Sequence, residues 1–171
     1  MTTTLSTTDR LAIHDLVSRY AWALDTGDVE NFVTCFCREG VLVWDAFDRP
    51  GRWEGEEALR HFARFFRDQP SSAGRQHHVT NLLLEADGEE ALGKAYVAVA
   101  LRQGDGPHAL NVMGWYEDRF RREGGQWRIA ERVIRDWSGP ILANIAGQTG
   151  EHLARPLPPP LAWLFRTASE D

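Results

Sequence analysis

The apolar pattern of this 171-residue chain changes period once, and that change limits the folds open to it more than any other feature. Up to about residue 69 the apolar side chains recur at helical spacing. Beyond residue 76 they alternate, as in half-buried strands. Ser6 or Thr8 can cap a first helix carrying Ile13, Leu16, Val17, Tyr20, Ala21 and Leu24, which Gly27 ends. Asp28 can cap a short second helix with Val29, Phe32, Val33 and Phe36, for which Gly40 is the expected stop. A strand over 41–47 and a turn at 48–51 follow. A third helix spans 56–69, with Leu59, Phe62, Phe65 and Phe66 on one stripe. After a loop at 70–74, long strands are expected over 77–86, 91–102, 109–122 and 126–137, separated by glycine-rich turns of the hairpin kind.

Three helices followed by a meander of long strands make an α+β arrangement, with the helices on one face of a strongly curved antiparallel sheet. Residues 1–138 form one domain of ordinary size. Residues 139–171 form a C-terminal extension with a possible short helix at 141–145. A proline run over 156–160 precedes Leu161, Trp163, Leu164 and Phe165, which are too apolar for a free tail. The expectation is that this extension covers a cavity or a subunit interface of a homo-oligomer, a dimer or a trimer.

With nineteen basic against twenty-five acidic residues the formal charge is −6, which argues against nucleic acid and against an anionic membrane as partners. No apolar stretch approaches the roughly 20 residues of a membrane span. Cys35 and Cys37, as Cys-x-Cys, are neither a disulfide framework nor a tetrahedral zinc site. Unpaired thiols, together with the lack of a signal peptide, lead to a cytoplasmic expectation. There is no phosphate-binding glycine loop, no G-x-S-x-G, no His-x-x-x-His spacing and no dinucleotide fingerprint. No cofactor and no metal are therefore expected, and an enzyme of this kind would work by acid–base chemistry.

Few polar residues interrupt the apolar faces. Asp25 continues the row Val17, Ala21 on the first helix, close to the C-terminus, where the helix dipole disfavours negative charge. It could serve the turn Leu24-Asp25-Thr26-Gly27, or it could be an inward carboxylate that orients a histidine. His77 opens the first long strand on a face with Val79, Asn81 and Leu83, and becomes a candidate base if an acid partner reaches it. Arg135 is read on a face with Trp127, Ile129, Val133 and Trp137, where a charge needs a partner or a function. The bland version is an ion pair with Glu117 or Asp25. Asn111 interrupts the row containing Met113 and Trp115. Tyr20, Trp22, Trp44 and Phe62 are individually core candidates and together suggest an aromatic cavity.

The segments 9–16 (DRLAIHDL), 19–28 (RYAWALDTGD), 77–81 (HHVTN) and 125–129 (GQWRI) resemble, in order, the SnoaL-like branch of the nuclear-transport-factor-2-like superfamily, over roughly residues 5–137. The resemblance implies a cone-shaped α+β barrel and the neighbourhood of scytalone dehydratase, hexachlorocyclohexane dehydrochlorinase and the bile-acid dehydratases. It implies catalytic roles for Asp25 and His77, with Tyr20 assisting, and a substrate-binding role for Arg135. Asn111, Trp44, Trp115, Trp22 and Phe62 would surround the substrate. The chain departs from the bile-acid enzymes at Val99, where those have an acidic residue, and at Trp44, in place of a second tyrosine.

The expected activity is a cofactor-independent lyase of the dehydratase or elimination type, acting on a small hydrophobic cyclic or aromatic substrate. A non-catalytic role stands as the alternative, as the small subunit of a ring-hydroxylating dioxygenase or a ligand-binding domain. Isomerase, cyclase and aldehyde-releasing lyase activities on the same fold remain open as well.

Overall fold

A computed structural model describes residues 4–47, 49–102, 105–136, 157 and 159–166. Helix α1 (Thr7–Thr26) is closed at its N-terminus by a reciprocal capping box between Ser6 and Asp9. At the other end the N–H of Gly27 bonds back to Ala23. The short α2 (Val29–Thr34) is capped by the Asp28 side chain.

The chain turns into strand β1 (Phe36–Asp45) directly after α2, so the expected continuation of that helix through Phe36 to Gly40 is replaced by strand. The Cys35 carbonyl accepts from Ile129 N, which draws this segment onto the sheet. Gly40 is not a helix stop. It lies where the pairing of β1 shifts, and a Cβ there would come within 2.8 Å of the Cys37 carbonyl and 3.0 Å of the Ile129 carbonyl.

A short strand, β2 (Gly51–Glu54), absent from the sequence reading, leads into α3 (Gly55–Asp68) and a 3-10 turn (Pro70–Ser72). Strands β3 (Gln76–Asp87), β4 (Glu90–Arg102), β5 (His108–Glu123) and β6 (Gln126–Asp136) agree closely with the four expected ones. One six-stranded sheet results, in the order β2-β1-β6-β5-β4-β3. It is mixed: all neighbours are antiparallel except β1 and β6, which run parallel because α3 and the meander separate them in sequence.

All three helices lie against the sheet, α1 on β3 and β6, α3 on β1 and β2. The core between them is aromatic, with Phe32 stacked on Phe62 and Trp53 edge-on to Phe62.

Helix α4 (Pro159–Arg166) returns to this core from the C-terminal segment. Leu164 and Phe165 are buried, and the Phe165 ring lies 5.2 Å from Trp53 and 5.9 Å from Trp44. Gly51 makes room for it, since a Cβ there would meet Phe165 at 2.6 Å. The possible helix at 141–145 lies outside the described residues. Among the described residues no helix is long and apolar enough to cross a membrane.

Besides the shift in β1, register shifts in β3, β5 and β6 decide which side chains face the helices. In β3 the register shifts between Thr80 and Leu83, where Asn81 adopts a φ of 55°. Beyond it the parity reverses: Leu82 packs inward, and Leu83, expected on the face of His77, is exposed. In β6, Arg119 opposes Glu131 while Phe120 opposes Ile129, so Ala130 is the extra residue. Arg132, Ile134 and Asp136 thereby replace Val133 and Arg135 on the inner face. The third shift lies between Val99 and Ala100, against 110–112 of β5.

Candidate active site

Asp25 leaves the C-terminal turn of α1 and reaches the start of β3. Its Oδ1 lies 2.5 Å from His77 Nδ1, and its Oδ2 accepts the His77 backbone N–H at 2.7 Å. Because a carboxylate only accepts, the proton sits on Nδ1 and Nε2 keeps its lone pair. The turn-capping alternative for Asp25 does not describe this structure, since Gly27 closes the helix and the carboxylate spans 52 residues.

Burial pushes the His77 imidazole below its ordinary value, and Asp25 restores only part of this, so the ring is neutral at neutral pH. For Asp25, burial raises the carboxyl. The hydrogen bonds from His77 and the neighbouring charges outweigh that and hold it low.

Arg75, which the sequence reading passed over, completes the group. It is buried, its Nε donates to Asp25 Oδ1 at 3.4 Å, and an Nη2 hydrogen bond to the Leu24 carbonyl ties it to the end of α1. A cation at a helix C-terminus offsets the dipole that would otherwise oppose Asp25 there. Its guanidinium also lies 5.1 Å from the centre of the Phe66 ring.

His77 and Arg75 open onto a cavity of about 320 Å³ between the helices and the sheet, at the lower end of the size range of small-molecule sites. Most of its wall is aromatic or aliphatic, with Trp44, Phe47, Phe62, Ile134 and Leu161. Tyr20 and Tyr116 also line it, and both are buried. Burial pushes the Tyr20 phenol up to about 12, Arg132 pulling the other way, so it is protonated and can donate. Neither Tyr20 Oη nor Trp44 Nε1 has a hydrogen-bond partner among the described residues. Both are buried donors of the cavity wall left unsatisfied by the described residues, an uncommon state for buried polar atoms.

Beneath the tyrosines lies Arg132, fully buried, its guanidinium 4.1 Å from the ring centres of both Tyr20 and Tyr116. Asp118 holds it through two parallel hydrogen bonds of 2.7 Å each. This pair and Asp136, a cavity-lining carboxylate, were not foreseen, because the bulge at Ala130 changes the parity of the strand.

The remaining expected site residues divide. Tyr20, Trp44, Phe62 and His77 line the cavity, and Asp25 stands behind His77. Arg135 is on the outer face, in ion pairs with Asp45 and Glu117, the bland reading of that residue. Trp22 lies off the apolar stripe of α1 and is 71% exposed. Trp115 sits on the outer face of β5, where its indole N–H donates to Glu117 at 3.2 Å. The side chain of Asn111 lies outside the described ones.

Residues 6–133 match the model of the SnoaL-like domain family. The chain belongs to the SnoaL-like family. Among solved structures, this SnoaL-like protein is similar to a protein of unknown function from Mycobacterium tuberculosis, with 28% identity over 85% of each chain and a TM-score of 0.70. A cystatin-like-fold protein of unknown function from Nostoc punctiforme shows 26% identity over 82% of this chain and 99% of the other, with a TM-score of 0.69. A protein described as an aromatic ring hydroxylase from Novosphingobium aromaticivorans shows 25% identity over 80% and 94%, with a TM-score of 0.70. At 20% and 19% identity the fold alone is shared with Novosphingobium aromaticivorans proteins described as a scytalone dehydratase and as the beta subunit of an aromatic-ring-hydroxylating dioxygenase. No curated protein matches.

Proposed function

We propose that this SnoaL-like protein is a cofactor-independent lyase that eliminates a leaving group from a small hydrophobic cyclic or aromatic substrate. The observation that carries the reading is the neutral His77 held by Asp25 at the wall of an apolar cavity. His77 Nε2 takes a proton from the carbon next to the departing group, and the electron pair of that C–H bond forms the new double bond. The bond to the leaving oxygen breaks as Tyr20 gives it a proton, so that water departs. Proton return from the imidazolium to the phenolate restores both groups. Asp25 stabilises the imidazolium by charge. A positioned acid–base group of this kind is worth on the order of 10²–10⁴-fold, and exclusion of water by the aromatic wall adds to it. Arg132, held beneath Tyr20 by Asp118, keeps the phenol in place.

The test is a screen of hydroxylated aromatic and terpenoid-like compounds, run after exhaustive chelation and dialysis with His77→Gln in parallel. Loss of absorbance or mass corresponding to one water, in the wild type only, supports the reading. Turnover restored only by a metal, or equal in His77→Gln, overturns it.

A non-catalytic subunit of a ring-hydroxylating dioxygenase is the second reading, favoured by the similarity to a protein described as an aromatic ring hydroxylase. Stable co-purification with an iron–sulfur large subunit, unaffected by His77→Gln, would decide for it. As a lyase we place the protein in the cytoplasm as a homo-oligomer, whose size is measured by size-exclusion chromatography with light scattering.

A further inference from the structure

The proposed elimination moves negative charge onto the substrate, and the cavity wall holds a cation that the reaction scheme above does not use. Arg75 is buried and lines the cavity together with His77, Gln69 and Ser72. Its Nε contact to Asp25 is long, at 3.4 Å, while both oxygens of that carboxylate bond more closely to His77, at 2.5 and 2.7 Å. Nη2 is spent on the Leu24 carbonyl, and Nη1 has no hydrogen bond among the described residues. Burial lowers the Arg75 pKa, Asp25 opposing it, as expected of a desolvated cation whose compensation is incomplete.

The charge of the three hydrogen-bonded groups changes when His77 takes a proton. With His77 neutral, Asp25 and Arg75 sum to zero. Once His77 has taken a proton, the three groups carry a net +1 inside a low-dielectric cavity. An oxyanion on the bound substrate offsets the charge of this three-residue group, and the Arg75 guanidinium is its fixed positive member. Tyr20 and Tyr116 also face this region and are protonated, and the Arg132–Asp118 pair is neutral in itself. Asp136 lines the same cavity.

We propose that Arg75, together with Gln69 and Ser72, forms an oxyanion subsite beside His77, and that the substrate carries a ring carbonyl next to the carbon that loses its proton, whose oxygen becomes negative as His77 takes that proton. This rests on the acid–base reading of His77. The C–H bond breaks toward Nε2 and its electron pair moves onto the adjacent carbonyl oxygen, which lies against Arg75; as that carbonyl re-forms, the pair makes the new double bond and the leaving oxygen departs with the Tyr20 proton. Such preorganised donors are worth more in a dry site than in water because they need no reorganisation.

The probe is p-nitrophenol, whose phenol titrates near neutrality and whose anion absorbs separately from the neutral form. Binding is measured in His77→Gln, which removes the proton acceptor, so any preference for the phenolate there belongs to the remaining groups. His77→Gln is expected to bind the phenolate at least roughly tenfold more tightly than the neutral phenol, a downward shift of about one unit in the bound titration. Adding Arg75→Gln should abolish that shift and leave affinity for the neutral phenol within a few-fold. A shift that survives Arg75→Gln, or no binding of the probe at all, overturns the subsite. If the double variant does not fold, p-nitroanisole decides in its place: equal affinity of His77→Gln for phenolate and for this uncharged ring overturns the proposal, and a roughly tenfold preference for the phenolate upholds it. Failure of the dyad reading is separate, because it shows as wild-type turnover in His77→Gln and leaves the probe titration unchanged.

Discussion

Asp25 holds His77 twice, one carboxylate oxygen 2.5 Å from the ring Nδ1 and the other accepting the backbone N–H of the same residue at 2.7 Å. The second bond places the first residues of β3 against the end of α1, and the first sets the tautomer of a ring that lies in the following cavity wall. Each part of the carboxylate thus has a separate task, and substitutions at Asp25 should reveal both.

Asp25→Asn keeps the size and one acceptor but loses the charge. It should lower turnover by on the order of 10²–10⁴-fold with a smaller change in KM, as expected of a group acting in the transition state. Removing a negative charge beside the imidazole lowers the His77 pKa further, so the acidic limb of the pH–rate profile moves to lower pH. Steady-state kinetics across pH on the substrate found by screening checks both. A variant that is merely less stable, with wild-type specific activity, would return Asp25 to a scaffold role.

Stability should fall on acidification through the His77 titration. The folded pKa lies below the ordinary 6.5, so between the folded and unfolded values the unfolded chain binds more protons. Stability is therefore complete above about pH 6.5 and declines as the pH drops toward the folded value. Urea denaturation from pH 7.5 to 5 measures the slope, and His77→Gln should flatten it.

The Arg132–Asp118 pair is fully buried on both sides, which makes its rupture expensive. Asp118→Asn should cost about 3–5 kcal/mol, because it strands a buried guanidinium between two tyrosines. Replacing both partners together, as Asp118→Leu with Arg132→Met, should recover much of that loss. Denaturant midpoints at constant m-value distinguish the two outcomes.

Helix α4 packs on the aromatic core through Phe165 and buries Leu164, and Leu161 lines the cavity itself. Phe165→Ala should destabilise by about 3–5 kcal/mol and Leu164→Ala by about 2–5 kcal/mol. Truncation after Ser138 should remove this helix and change solubility, oligomeric state or activity. A truncated chain unchanged in all three would show that the extension neither closes the cavity nor joins subunits.

Much of this architecture is legible in the sequence. The order of helices and strands follows from the change of period, and the four long strands stand almost where the glycine-rich turns place them. Asp25 and His77 were identifiable because each interrupts an apolar face at an element end, and the SnoaL-like resemblance paired them. Arg75 carried no such signal. It stands in the loop between Gly74 and Gln76, and its role appears only when the end of α1 arrives beside it.

The sequence by itself determined which segments form helix and strand, because local periodicity and capping are properties of neighbouring residues. It could not determine which face of each strand looks inward past a bulge. One extra residue, Ala130, moves Arg132 and Asp136 into the interior and Arg135 out to Asp45 and Glu117, and Asn81 does the same to Leu82 and Leu83. A bulge is a mismatch between two strands, so it exists only in their pairing. The parallel contact of β1 with β6, the reach of Asp25 across 52 residues and the return of Phe165 to Gly51 belong to the same class. Tertiary structure alone decided them, since each is a relation between segments that the chain brings together only when its apolar faces are buried.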